Sequence, residues 1–159
     1  MSERITLEVK GLMVDPLTNM PLVVLRAPDD QGAHVLPLWV GVFEANAIAL
    51  QLEGVAPPRP MTHDLTCQLI EKLGAKVVEA VITEIRDSTF HANLVLEREG
   101  GERLVIDSRP SDALALALRS GAPIIASESM IEAAQALEPP LPDLDAVGDE
   151  ISQLTDAEF

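Results

Sequence analysis

Two short segments hold most of the residues able to do chemistry, Arg59-Pro60-Met61-Thr62-His63-Asp64 and Asp107-Ser108-Arg109-Pro110-Ser111-Asp112. Each sets Arg-Pro just ahead of a helix start and an Asp in or near the first turn. A helix N-terminus presents free N–H groups and partial positive charge, which suit a phosphate or a carboxylate. Arg59 and Arg109 would grip such a group bidentately, with Thr62 and Ser111 beside them as further substrate-binding groups. His63 is placed to act as general acid or base, because imidazole titrates near neutrality.

Carboxylates complete the candidate set. Glu44, Asp64, Asp107 and Asp112 all fall at strand–helix junctions or helix starts. If Asp64, Asp107 and Glu44 converged, they would hold Mg²⁺ or Mn²⁺ and activate water against a phosphodiester. The catalytic residues would then be His63, Asp64, Asp107, Asp112 and Glu44. A plainer account competes: Thr62 and Ser111 cap helices, the arginines pair with Asp64 and Asp112, and acids stabilise helix N-termini. His63 and Cys67 share a helical face, yet with one cysteine in the chain a partly buried thiol is the better reading than a metal ligand. No HExxH, GxGxxG, Walker or GxSxG pattern occurs, so zinc-protease, nucleotide-cofactor and serine-hydrolase chemistry lack support.

The elements that must position these residues follow from periodicity. Ile5, Leu7 and Val9 alternate with polar neighbours, predicting a strand that runs to Val14. A turn at Asp15–Asn19 leads to strands at 21–27 and 34–40, the latter two joined by a hairpin at 29–32. From Phe43 the period becomes helical, with Ala45, Ile48, Ala49 and Leu52 on one face and Gly54 as the stop. Pro57-Pro58-Arg59-Pro60 is a stiff connector. A second helix follows with Thr62 as its N-cap and Leu65, Leu69, Ile70 and Leu73 as its buried stripe. Strands at 76–86, 89–97 and 102–107 come next, then a helix led by Pro110, a short strand at 123–126 and a last helix over 129–137. The residues Leu38–Pro57 align with Leu104–Pro123 at an offset of 66, as an internal duplication would leave them. The fold class is therefore α+β: one domain over 1–137, made of two mostly antiparallel sheet units, each followed by helices.

The 159 residues and 47% apolar content are those of one globular domain. Aromatics make up only 3%, leaving the core to Val, Ile, Leu and Ala, with Trp39 as an anchor of the core or of a subunit interface. The formal net charge is −15. Seven acids and no Lys or Arg lie from Glu138 onward, so 138–159 is expected to be a disordered acidic tail, and the body remains acidic without it. Such a surface repels polyphosphate at long range and disfavours avid non-specific nucleic-acid binding. No apolar run is long enough to span a bilayer and no signal region opens the chain, so the expectation is a cytoplasmic protein without a membrane partner.

Four motifs resemble a known family. Leu36-Pro37-Leu38-Trp39-Val40-Gly41 with Glu44-Ala45 and Ala47-Ile48, then Arg59–Leu65, Phe90-His91-Ala92-Asn93-Leu94 and Asp107–Ala113, are similar in collinear order to the signatures of the bifunctional nuclease domain family. The likeness runs from Ile5 to Leu137. It implies a compact α+β domain, a homo-oligomer such as a dimer, and hydrolysis of both DNA and RNA. The expected function is thus a metal-assisted nuclease, with a non-catalytic anion-binding or protein-interaction module on the same fold as the alternative.

Overall fold

Alternating apolar residues start the sheet. Arg4–Val14 form β1, Pro21–Arg26 β2 and Val35–Trp39 β3, an antiparallel meander that turns Leu7, Leu12, Val23, Leu25, Leu36 and Leu38 into a common core. The structure is a computed structural model and describes residues 2–28 and 32–137. The proposed acidic tail, 138–159, and residues 29–31 of the expected hairpin lie outside the described residues.

The β1–β2 turn is pinned by Asp15, which is 1% exposed. Its carboxylate accepts from the Trp39 indole N–H at 2.8 Å and from the Leu17 backbone N–H at 2.9 Å. The indole hydrogen bond first, then that of Leu17, keep the carboxyl below its ordinary range although burial raises it. Trp39 thereby anchors a small cluster with Met13, Leu22, Val24 and Val35.

Ala75–Arg86, Thr89–Arg98 and Arg103–Ser108 are β4, β5 and β6, a second antiparallel meander. Asp87 and Ser88 both take positive φ, 52° and 61°, as the tight turn of a two-residue hairpin demands. Ile124–Ser127, the strand β7, then enters between the meanders, antiparallel to β1 and parallel to β4. The result is one seven-stranded sheet of order β3-β2-β1-β7-β4-β5-β6. Two sheet units are what the sequence predicts. They join because β1 is shared: Arg4–Leu7 pair with β7 and Glu8–Val14 with β2, across a bulge between Val9 and Gly11. Ile124, Ile125 and Ala126 are buried in succession, as a central strand covered on both faces requires.

Four helices complete the described fold: α1 (Val42–Leu52), α2 (Thr62–Lys72), α3 (Pro110–Ser120) and α4 (Glu128–Gln135). The hub is α3, which packs on α1, α2, β4 and β5 and buries Ala113 through Ala117. Pro110 opens it and Gly121, at φ 68°, closes it. Ala45, Ala47 and Ala49 of α1 join the same core cluster as Ala113, Ala115 and Ala117. Small side chains on both helices let their axes approach closely, which brings the starts of α1 and α3 together.

Helix α2 departs from expectation. Leu65, Leu69 and Leu73 are 49%, 53% and 81% exposed, and no residue of the helix is fully buried. Cys67 and Ile70 form the inward face instead, against Leu94, Leu96 and Leu116. The three leucines repeat at four-residue spacing on the opposite side, a stripe that reads as core when the partner surface is unknown. Met61, not Thr62, is the N-cap, and Asp64 reaches back to accept its N–H at 2.9 Å. At the end of α1, Leu52 is 37% exposed. No helix among the described residues is long and apolar enough to cross a membrane.

Candidate active site

Glu44 lies in the first turn of α1, His63 in the first turn of α2, and Arg109 and Asp112 at the start of α3. Close packing of the three helices gathers them. His63 Nε2 lies 2.9 Å from Asp112 Oδ1. Arg109 donates through Nε to Asp112 Oδ2 at 2.9 Å, through Nη2 to Asp112 Oδ1 at 3.2 Å, and through Nη1 to Glu44 Oε1 at 3.0 Å. The Glu44 carboxylate bends over Gly41, where any Cβ would collide with Oε2.

Charge follows from these contacts. Burial raises the Asp112 carboxyl, but hydrogen bonds from Arg109 and then His63 outweigh it, and the net shift is downward. The hydrogen bonds to Asp112 and then Glu44 hold the Arg109 guanidinium more firmly protonated than usual. A carboxylate that stays ionised only accepts, so Nε2 of His63 is assigned the ring proton and Nδ1 is left as the basic nitrogen of the neutral ring. Of the five N–H groups of a guanidinium, three are engaged here, and one each on Nη1 and Nη2 remains for an incoming oxygen.

Asp64 does different work. Its Oδ2 accepts the Met61 N–H, and its Oδ1 accepts from Arg119 Nε at 2.7 Å. Arg119, with a side chain only 8% exposed, also donates to the carbonyls of Ala115 at 3.0 Å and Ala47 at 3.1 Å. One guanidinium thus ties α1, α2 and α3 together beside the helix start that carries His63. The Met61 N–H first, then Arg119, hold the Asp64 carboxyl low. Arg119 was not among the sequence candidates. Its signal was there: seven residues after Asp112, it shares that residue's face two turns along the helix.

Three adjoining clefts open around Arg109. One of about 290 Å³ is lined by Phe43, Glu44, Met61, Thr62, His63 and Asp112 among others. A second, between the α1 and α3 starts and the β4–β5 turn, is walled by Trp39, Ser88, Phe90 and Ser111. The third holds Asp107 together with Thr62, His63 and Asp112. Ser111 is buried, 7% exposed, and caps nothing. Asp107 is exposed on β6.

Arg59 lines none of these clefts, is exposed, and forms no ion pair among the described residues. The two Arg-Pro segments are out of step by two residues: Pro110 is the first residue of its helix, whereas Pro60 precedes the Met61 N-cap. Arg109 therefore sits at a helix start and Arg59 in the connector before one.

The ligand set Asp64, Asp107 and Glu44 is not assembled. Asp64 is held by Arg119 and Met61, Glu44 by Arg109, and Asp107 stands apart on β6. Among the described residues no group of three His, Cys, Asp or Glu side chains is arranged to hold a metal ion, so these residues do not fit a Mg²⁺ or Mn²⁺ centre of that kind.

Comparison with known proteins agrees with the motifs. The bifunctional nuclease domain model matches residues 23–138. An uncharacterized protein of Mycobacterium tuberculosis is 41% identical over 131 residues, which make up 82% of this chain and 76% of that protein. Bifunctional nuclease 2 of Oryza sativa subsp. japonica is 28% identical over 123 residues, 76% of this chain but 38% of the plant protein. Bifunctional nuclease 1 of Arabidopsis thaliana is 28% identical over 106 residues, 65% of this chain and 32% of its own length. A family model that spans well over half of the sequence and a relative aligned along most of both chains leave one conclusion: the chain belongs to the bifunctional nuclease domain family.

Proposed function

We propose that the protein hydrolyses phosphodiester bonds in DNA and RNA, with His63 as general base, Asp112 as its orienting partner, and Arg109 as the phosphate grip. The observation that carries this reading is the chain of contacts from His63 through Asp112 and Arg109 to Glu44, set where three clefts meet. Family membership and the names of the plant relatives support it.

In the reaction, water adds to phosphorus as His63 Nδ1 takes its proton. The P–O ester bond breaks, and the departing oxygen takes a proton from solvent, to which the clefts are open. The two remaining Arg109 N–H groups meet the charge that builds on the phosphoryl oxygens. Glu44 and Asp112 hold the guanidinium from two sides, so it need not reorganise as that charge develops. Asp107, in the same cleft as His63, faces the substrate path.

The test is incubation of pure protein with single-stranded DNA and RNA, with Mg²⁺, with Mn²⁺ and with EDTA; the chelated arm decides whether a divalent ion takes part. Cleavage is expected, and His63→Ala or Asp112→Asn should slow it about 10²–10⁴-fold. Cleavage by His63→Ala at the wild-type rate sinks the assigned role. The second reading, a non-catalytic anion-binding module, draws on the same Arg109. It predicts thermal stabilisation by inorganic phosphate and no turnover in any arm.

The family resemblance also leads us to take the protein as a homodimer. The three exposed leucines of α2 support this, since a second copy would cover them.

A further inference from the structure

We infer that Phe43 is a stacking platform for an unpaired nucleobase, which makes single-stranded nucleic acid the preferred substrate; this rests on the nuclease reading above. Phe43 is 80% exposed. Among the described aromatics the other two are engaged: Trp39 is bonded to Asp15, and Phe90 packs against the core. A ring left mostly in water at the start of a helix contributes little to the fold, and phenylalanine is not a favoured helix former.

Its neighbours indicate what the ring is for. Phe43 lines the same cleft as His63, Arg109 and Asp112, and it directly precedes Glu44, whose carboxylate is bonded to Arg109. Both residues sit in the first turn of α1, so the ring and the phosphate grip are fixed to one rigid helix start. Met61, 39% exposed, lines the same cleft and adds to its apolar surface. An apolar, π-faced platform beside guanidinium N–H donors matches the two halves of a nucleotide, base and phosphate. Every base offers a π-face, so the contact tolerates any sequence. A base inside a duplex is already stacked on its neighbours and cannot reach the ring without leaving them. An acidic protein that gains little from long-range attraction needs such a short-range contact to retain its substrate.

The experiment uses full-length protein and its Phe43→Ala, Phe43→Leu and Phe43→Trp variants. Affinity for a fluorescently labelled single-stranded oligonucleotide, and for an abasic strand of equal length, is read by anisotropy on the His63→Ala background. Cleavage of single-stranded and duplex DNA is read with His63 intact. Alanine and leucine at position 43 should weaken binding of the normal strand about 5–100-fold. Tryptophan should retain it, the abasic strand should bind all forms alike, and the preference for single strands should fall in the alanine variant.

Equal affinity of the alanine variant and its parent for the normal strand overturns the inference, as does equal weakening toward the abasic strand. So does a change in oligomeric state at unchanged nucleic-acid affinity, which would make the ring a subunit contact. Base-dependent binding without cleavage in any arm would uphold the platform and remove the nuclease. Cleavage indifferent to position 43 would do the reverse.

Discussion

Arg109 is placed by two short-range facts, that it caps α3 and that Asp112 follows three residues later. Carboxylates held in this way leave a mark on stability. Asp15, Asp64 and Asp112 all have carboxyls lowered in the folded state. A lowered carboxyl stabilises the fold fully above its unfolded value, about 3.9, and that contribution is lost as pH falls through the folded value. The urea midpoint should therefore be insensitive to these groups at neutral pH and fall once the pH drops below about 4. Asp15→Asn retains an oxygen for the Trp39 indole but removes a titrating site, so its acid slope should be shallower than wild type. A slope unchanged in Asp15→Asn would mean that folding does not lower this carboxyl. At this scale part of the arrangement is legible in the sequence: spacing marks Glu44, His63, Arg109 and Asp112, which do converge, along with Asp64 and Asp107, which lie outside the chain of contacts joining those four. Arg59 is marked with them and does not converge either, because a proline before an N-cap and a proline at the first helical position look alike in sequence. Arg119 was missed because its partners, Asp64 and the Ala47 carbonyl, are 55 and 72 residues away.

Elements were more legible than their faces. Alternation, together with the turn residues between runs, places β1 through β6 to within about two residues, although β2 is buried at five successive positions and shows no period of two. The helix α2 shows where that stops. Its length and start could be read, but two apolar stripes compete on it, and only the position of α3 decides that Cys67 and Ile70 go in while Leu65, Leu69 and Leu73 stay out. Arg119 helps hold this orientation, as it joins Asp64 on α2 to carbonyls on α1 and α3. Arg119→Met should destabilise the fold by about 3 kcal/mol, toward the low end for breaking a buried pair because Asp64 keeps some solvent. Its Asp64 carboxyl should titrate higher once the guanidinium is gone, which two-dimensional NMR would follow. If Arg119→Met left both the denaturation midpoint and the Asp64 titration where they were, the tie would be ornamental to α2.

The whole molecule holds information that no local pattern contains. Which strands neighbour which depends on β7, four residues long, entering between meanders that the chain had finished much earlier. The exposed face of α2 poses a question at the same scale. Leu65, Leu69 and the C-cap residue Leu73 are 49%, 53% and 81% exposed. Covering them would contribute at most about 1.5–3 kcal/mol for Leu73 and roughly half that for each of the other two, and a two-fold partner would cover both copies of the stripe at once. If the protein pairs through this stripe, wild type should sediment as a dimer at about tens of micromolar protein, and Leu69→Glu with Leu73→Glu should yield a monomer. His63 rides on the first turn of that same helix, so the consequence reaches the site. If pairing steadies α2, wild-type specific activity should rise with protein concentration through the dissociation range, while the double variant stays low at every concentration. A wild-type monomer, or a double variant that still sediments as a dimer, would place any self-association elsewhere and leave the leucines unexplained. A dimer whose activity ignored concentration would separate assembly from chemistry, and α2 would then be oriented within one chain, by Arg119, by the His63–Asp112 contact and by the packing of Cys67 and Ile70.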